Sequence, residues 1–200
     1  MKSSNKYGVR FMVVTAMLGA VAFVLMFIDF SVPFMPSFIK LDISDLPALL
    51  GSFALGPVSG CVVELIKILL HLIIRGTSTG YVGELSNFIL GCIFVIPAGW
   101  IYSRRKTKKS AVIAAIAGAL AMGVLSFVTN LLLVYPIYYN FMPKETIIQA
   151  YQAIIPAVDS IEECLLIFNV PFTFIKGLLS VIITVIIYKP LSPILKGRIK

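Results

Sequence analysis

Apolar runs that approach or exceed the roughly 20 residues needed to cross a bilayer recur along this chain, broken by short charged or glycine-bearing connections. No water is available in lipid to pair with exposed backbone groups, so each run must pair its own, and an α-helix does this. Mean hydropathy is +0.99, with only 13% charged residues, far outside the soluble range. The expectation is an all-α membrane protein, one integral membrane domain over residues 1–200. Its six transmembrane helices are placed at about 10–28, 45–55, 58–75, 81–102, 111–139 and 169–188. The stretch ETIIQAYQAI, between the last two, reads as an amphipathic piece lying at the surface. The basic start followed by an apolar run resembles a signal peptide. The run continues to Ile28 without a small-residue cleavage site, so it is read as the first span.

Net charge is +8, but placement matters more than the sum. Lys2, Lys6 and Arg10 flank the first helix. Arg104, Arg105, Lys106, Lys108 and Lys109 fill the connection between helices 4 and 5. Lys189, Lys196, Arg198 and Lys200 form the tail. These regions hold 12 of the 17 basic residues and none of the nine acids. The positive-inside rule then puts both termini in the cytoplasm and fits a bacterial plasma-membrane protein. It turns the stretch after helix 1, the GTSTG turn (76–80) and the acidic 140–168 segment outward. Clustering at segment ends fits membrane topology better than nucleic-acid binding. Cys61, Cys92 and Cys164 show no metal-ligand spacing and read as small hydrophobes; no metal site is expected.

Between two apolar segments lies FIKLDISDLPALL, Phe38 to Leu50, with Lys40, Asp42 and Asp45 inside six positions. So much charge in so apolar a chain reads as the lid and one wall of an outward-facing ligand pocket. Asp45 also reads as the start of the next helix, where a carboxylate caps free amides ahead of Pro47.

Polar groups at membrane depth are costly and therefore informative. Glu64, Lys67 and His71 share one face of helix 3 by their spacing, either as an internal ion pair beside a histidine or as a ligand- or proton-handling face. Asn130 on helix 5 and Asn169, Thr173 and Lys176 on helix 6 fall at the depth where the charged stretch would fold over them. Amide and ammonium groups suit a neutral heterocycle rich in carbonyl and ring-nitrogen acceptors, buried among aromatics such as Tyr135, Phe172 and Phe174. Interhelical hydrogen bonding is the plainer reading of each residue alone. GSFALGP (51–57) lacks the Lys-Ser/Thr of a phosphate loop, and HExxH and GxSxG are absent. An ATP-driven step would have to be a partner's. Ala16 and Ala20 form a small-xxx-small face, for packing within the chain or against a partner.

The runs IKLDISDLPALLGSFALGPVSG, ELIKILLH and GTSTGYVGELSNFILG, with the PFxxxKG ending at Pro171 to Gly177, closely resemble the riboflavin-specific substrate-binding (S) subunits of energy-coupling factor (ECF) transporters. The resemblance covers nearly the whole chain. It implies a high-affinity riboflavin-binding subunit, not an enzyme, with riboflavin as transported ligand rather than cofactor. A transmembrane coupling protein and two cytoplasmic ATPases would energise it, and the subunit would tip in the membrane to deliver its ligand. The first loop, here Lys40, Leu41, Asp42 and Ser44, would close over the flavin. Asn130, Thr173 and Lys176 would contact the ring, with Asn87, Tyr135 and Asn169 as further candidates. Relatives commonly carry Asn where this chain has Thr173, so that contact falls to Thr173 or to Asn169 one turn earlier. They also often carry Asn where Ile68 stands. Ala16 and Ala20 match the motif on helix 1 that meets the coupling protein. FMN is a further candidate ligand. The alternatives are an S subunit for another vitamin, an intramembrane enzyme using Glu64, Lys67 and His71, and an assembly protein without a ligand.

Overall fold

A computed structural model describes residues 8–77 and 79–195. Lys2, Lys6, Ser78, Lys196, Arg198 and Lys200 lie outside them. The described chain is helical apart from its connections and one two-stranded ribbon. α1 is Val9–Met26, α2 Asp45–Leu55, α3 Pro57–Ile74 and α4 Val82–Arg104. α5, Lys108–Thr129, runs on through a π-helical turn, Asn130–Val134, into α6, Tyr135–Tyr138. α7 is Lys144–Gln152. α8, Ile161–Cys164, passes through a second π-helical turn, Leu165–Asn169, into α9, Val170–Leu195. Among the described residues, five helical stretches are long and apolar enough to cross a membrane: α1, α3, α4, Lys108–Tyr138 and Ile161–Ile187. α2 has 11 residues. At 1.5 Å per residue it is about 16 Å long, too short to span alone.

Two expectations need correction. The last long helix begins at Ile161 rather than near 169. Ser160 caps it by accepting from the Glu163 backbone N–H at 3.2 Å, so the acidic residues 162 and 163 occupy a first helical turn, where negative charge is favourable. Nor is α7 merely a surface piece. Ile147 and Tyr151 are fully buried in a second core with Val134, Tyr135, Tyr138, Val158, Ile161, Leu165 and Phe168.

The main core is built from small residues. Ala111, Ala114, Ala115 and Ala119 of α5 meet Phe94, Ala98 and Tyr102 of α4, and α5 packs against both α4 and α9. With lipid tails as apolar as leucine, such close approach supplies packing that a hydrophobic driving force cannot. α1 buries Thr15, Gly19, Ala22 and Met26 along one stripe and docks on α3. The break between α2 and α3 follows from Gly56, at φ +103°, and Pro57 in the first turn of α3.

Between α1 and α2 the chain forms a ribbon absent from the sequence-based expectation. β1, Phe30–Ser31, pairs antiparallel with β2, Lys40–Leu41. The ribbon leads straight into Asp42, Ser44 and α2, so α2 and its flanks position the site.

Candidate functional site

A cavity of about 460 Å³ opens at one end of the bundle, within the range of small-molecule sites. Residues from the ribbon, the α3–α4 connection, α4, the π turn after α5, α6 and α9 line it. Lys40, Asp42, Asn87, Asn130, Tyr135, Asn169, Thr173 and Lys176 are all in the lining. Leu41 and Ser44 are not; both are buried behind it. Of the expected aromatics, Phe172 lines the cavity, whereas Phe174 packs against Gly123 and the main core.

The floor is a chain of buried ions. Lys67 Nζ lies 2.5 Å from Asp45 Oδ1 and 2.7 Å from Glu64 Oε2, and donates to Ser44 Oγ at 2.9 Å. Ser44 in turn donates its hydroxyl and its backbone N–H to Asp42 Oδ1. Lys176 Nζ then lies 3.2 Å from Asp42 Oδ2 and 3.3 Å from Asp45 Oδ2, and donates to Asn87 Oδ1 at 3.1 Å. Asp45 therefore does not cap α2, as expected from its position; α2 has no side-chain cap, and two lysines take up the carboxylate. Lys176 and the two bonds from Ser44 together satisfy the buried Asp42 carboxylate.

Glu64 and Lys67 are sealed completely from solvent. Glu64 packs so tightly on α4 that a Cβ on Gly91 would sit 2.5 Å from its carboxyl carbon. His71 instead lines the cavity, with a buried Nδ1 that has no hydrogen-bond partner among the described residues. The shared face of α3 thus divides into a sealed ion pair and a separate wall residue. It offers no joint acid–base constellation.

Above the floor the walls carry polar groups of both kinds. Asn130 Oδ1 accepts from Ser86 at 3.4 Å. Asn169 Oδ1 accepts from the Tyr151 hydroxyl at 2.8 Å, and the Tyr151 and Tyr135 hydroxyls bond to each other. Each Asn stands in a π-helical turn, a distortion frequent at functional sites. Glu84 Oε2 accepts from Thr77 at 3.0 Å and Thr79 at 3.1 Å. At the rim Asp29 pairs with Lys40 at 2.6 Å and Arg75 at 3.3 Å. Burial again opposes the charge, and the two cations outweigh it to lower the Asp29 carboxyl. Sequence reasoning passed over Asp29, Arg75, Thr77, Thr79, Glu84, Ser86 and Tyr138, all of which line the cavity, as does Phe38 at the head of the expected lid. The Thr77-x-Thr79-x-x-x-x-Glu84 spacing that places Glu84 back on its turn threonines carries no recognised motif. Donors, acceptors and flat aromatic faces together suit a flat heteroaromatic ligand with a polar tail.

A family profile described as "ECF transporter, substrate-specific component" matches residues 10–188. The chain is 31% identical over 186 residues to a riboflavin transporter of Bacillus subtilis (strain 168), covering 92% of this chain and 93% of that one. It is 33% identical over 185 residues to a riboflavin transporter of Staphylococcus aureus (strain TCH60), covering 92% of each. Among solved structures, that reported as "Structure and mechanism of the S component of a bacterial ECF transporter" superposes with a TM-score of 0.71 at 30% identity, covering 94% of this chain and 98% of that chain.

Proposed function

This chain belongs to the substrate-specific components of ECF transporters, a membrane transport family rather than a family of enzymes, and from that premise we propose that it captures riboflavin for ATP-driven uptake. The observation carrying the ligand assignment is the cavity itself. It combines a fixed ammonium, Lys176, two asparagines in π turns and aromatic walls, in a chain whose relatives are named riboflavin transporters. In this reading Asn130, Thr173 and Lys176 meet the heterocycle. Asn87, Tyr135 and Asn169 complete the wall. Lys40 closes the mouth and Asp42 holds Lys176 in the floor, while Leu41 and Ser44 act from behind, Ser44 by tying Asp42 to Lys67.

The proposed membrane arrangement has six crossings, with α2 and the extended chain before it sharing one, both termini in the cytoplasm and the cavity open outward. What supports it is the charge at the two ends of α4. Glu84 and Asn87 near its start line the cavity, whereas Arg104, Arg105, Lys106, Lys108 and Lys109 at its far end are exposed, about 34 Å away along the 23 helical residues. The whole chain then acts as one integral domain of the plasma membrane.

Energy would come from a transmembrane coupling protein and two cytoplasmic ATPases. Ala16 and Ala20 are the proposed contact, because α1 packs internally through Thr15 and Gly19 and leaves both alanines exposed. The test of the ligand is to purify the full chain from cells grown with riboflavin and read its visible spectrum. Flavin absorbance near stoichiometric with protein is expected; colourless protein that gains none on soaking would overturn the assignment. FMN is distinguished by chromatography of the released pigment.

A further inference from the structure

The segment joining α1 to α2 has two faces. Its inner side, Ser37 to Lys40, lines the cavity as a lid. Its outer side holds two phenyl rings away from the protein: Phe30 is 54% exposed and Phe34 82%. Phe34 has φ +69°, in the left-handed region that non-glycine residues, bulky ones above all, seldom occupy. Strained residues of this kind persist where the surrounding structure imposes them, and they gather at functional positions. Tyr81, on the neighbouring connection, has the same φ and is 64% exposed. Phe141, 60% exposed, lies against Gly80 beside it.

The surroundings identify what covers these rings. Met17 and Val21 form an exposed apolar row along spanning helix α1, beside the Ala16 and Ala20 face, and this is surface that meets lipid. The row continues in sequence through Ile28, 59% exposed, into Phe30 and Phe34. The charges of Asp29, Lys40 and Arg75, paired at the same level, mark where water begins. Aromatic side chains are enriched at that boundary because they are stable between apolar tails and polar headgroups.

We propose that Phe34, with Phe30, anchors the lid in the headgroup region of the leaflet on the cavity side. The partner is the bilayer, and the lid rides on it instead of projecting into water. Opening the cavity then drags a ring through the interface, so lipid composition governs lid motion. The idea goes beyond the ligand assignment and does not depend on which ligand the cavity takes.

Ligand-free protein provides the test. Trp100, the chain's one tryptophan, is replaced by Phe, and Phe34→Trp is introduced in that background. The full chain is reconstituted in phosphatidylcholine vesicles. Lipid brominated high on the acyl chain is expected to quench the introduced indole by about half or more, with aqueous iodide doing less, as for an interfacial aromatic. Iodide quenching equal to or above that of the bromolipid would overturn the proposal. So would an indole reached by neither quencher, which would mean that a second copy or another protein covers the tip. Phe30→Trp in the same background gives an independent reading should the first variant not fold.

Discussion

Lys67 has no access to solvent and faces two carboxylates and a serine hydroxyl. Breaking a buried ion pair by removing one partner costs about 3–5 kcal/mol, because the other charge is left uncompensated. Lys67→Met should therefore destabilise the detergent-solubilised protein by about that amount in thermal unfolding. Adding Glu64→Gln should restore part of the loss, since Asp45 keeps Lys176. A single variant as stable as the parent would mean that the ion chain does not hold the floor together. Asp42→Asn should lower the unfolding temperature as well, because it removes the buried carboxylate that faces Lys176 and accepts from Ser44. An unchanged unfolding temperature in that variant would contradict the arrangement.

At the scale of elements, the small residues of α1 divide between two tasks. Gly19 sits where a Cβ would lie 2.6 Å from an Ile66 methyl, so it serves the contact with α3. Ala16 and Ala20 face away from it and are exposed. Replacing both with Trp should leave ligand binding within about twofold while abolishing uptake by cells that contain the whole transporter, because large residues block close helix approach. Uptake at the parental rate would remove α1 from the proposed interface. The helices from α2 to α4 were legible because apolar length and the Gly56-Pro57 break are local signals. The start at Ile161 was legible too, in the Ser160-x-x-Glu163 capping pattern, but the acidic residues led to its being read as loop. The π turns at Asn130 and Asn169 were not legible, because an extra residue in a helical turn leaves no mark in an apolar run. Nor was the lysine–carboxylate chain: α3 announced Glu64 and Lys67, but pairing with Asp45 required knowing that α2 packs on α3.

On the scale of the molecule, the proposed reading joins a membrane orientation to a ligand. The orientation is read by labelling intact cells with a membrane-impermeant maleimide, in a background with Cys61, Cys92 and Cys164 replaced by Ala. Asn140→Cys, exposed near the cavity end, should react from outside. Lys106→Cys should react only after permeabilisation, and the reverse pattern would invert the topology. The floor, walls and lid come from well-separated parts of the chain, which is why Asn130, Asn169, Thr173 and Lys176 could be nominated by depth but the threonine–Glu84 wall could not. The central claim is that this cavity takes riboflavin through Asn130 and Lys176, and a fluorescence titration of ligand-free protein tests it most directly. The parent should quench riboflavin emission stoichiometrically at micromolar ligand, and Asn130→Ala and Lys176→Ala should each weaken binding about tenfold or more, the cost of a charged or amide contact at a buried site. Absence of quenching by the folded parent, or unchanged titrations in both variants, would contradict it.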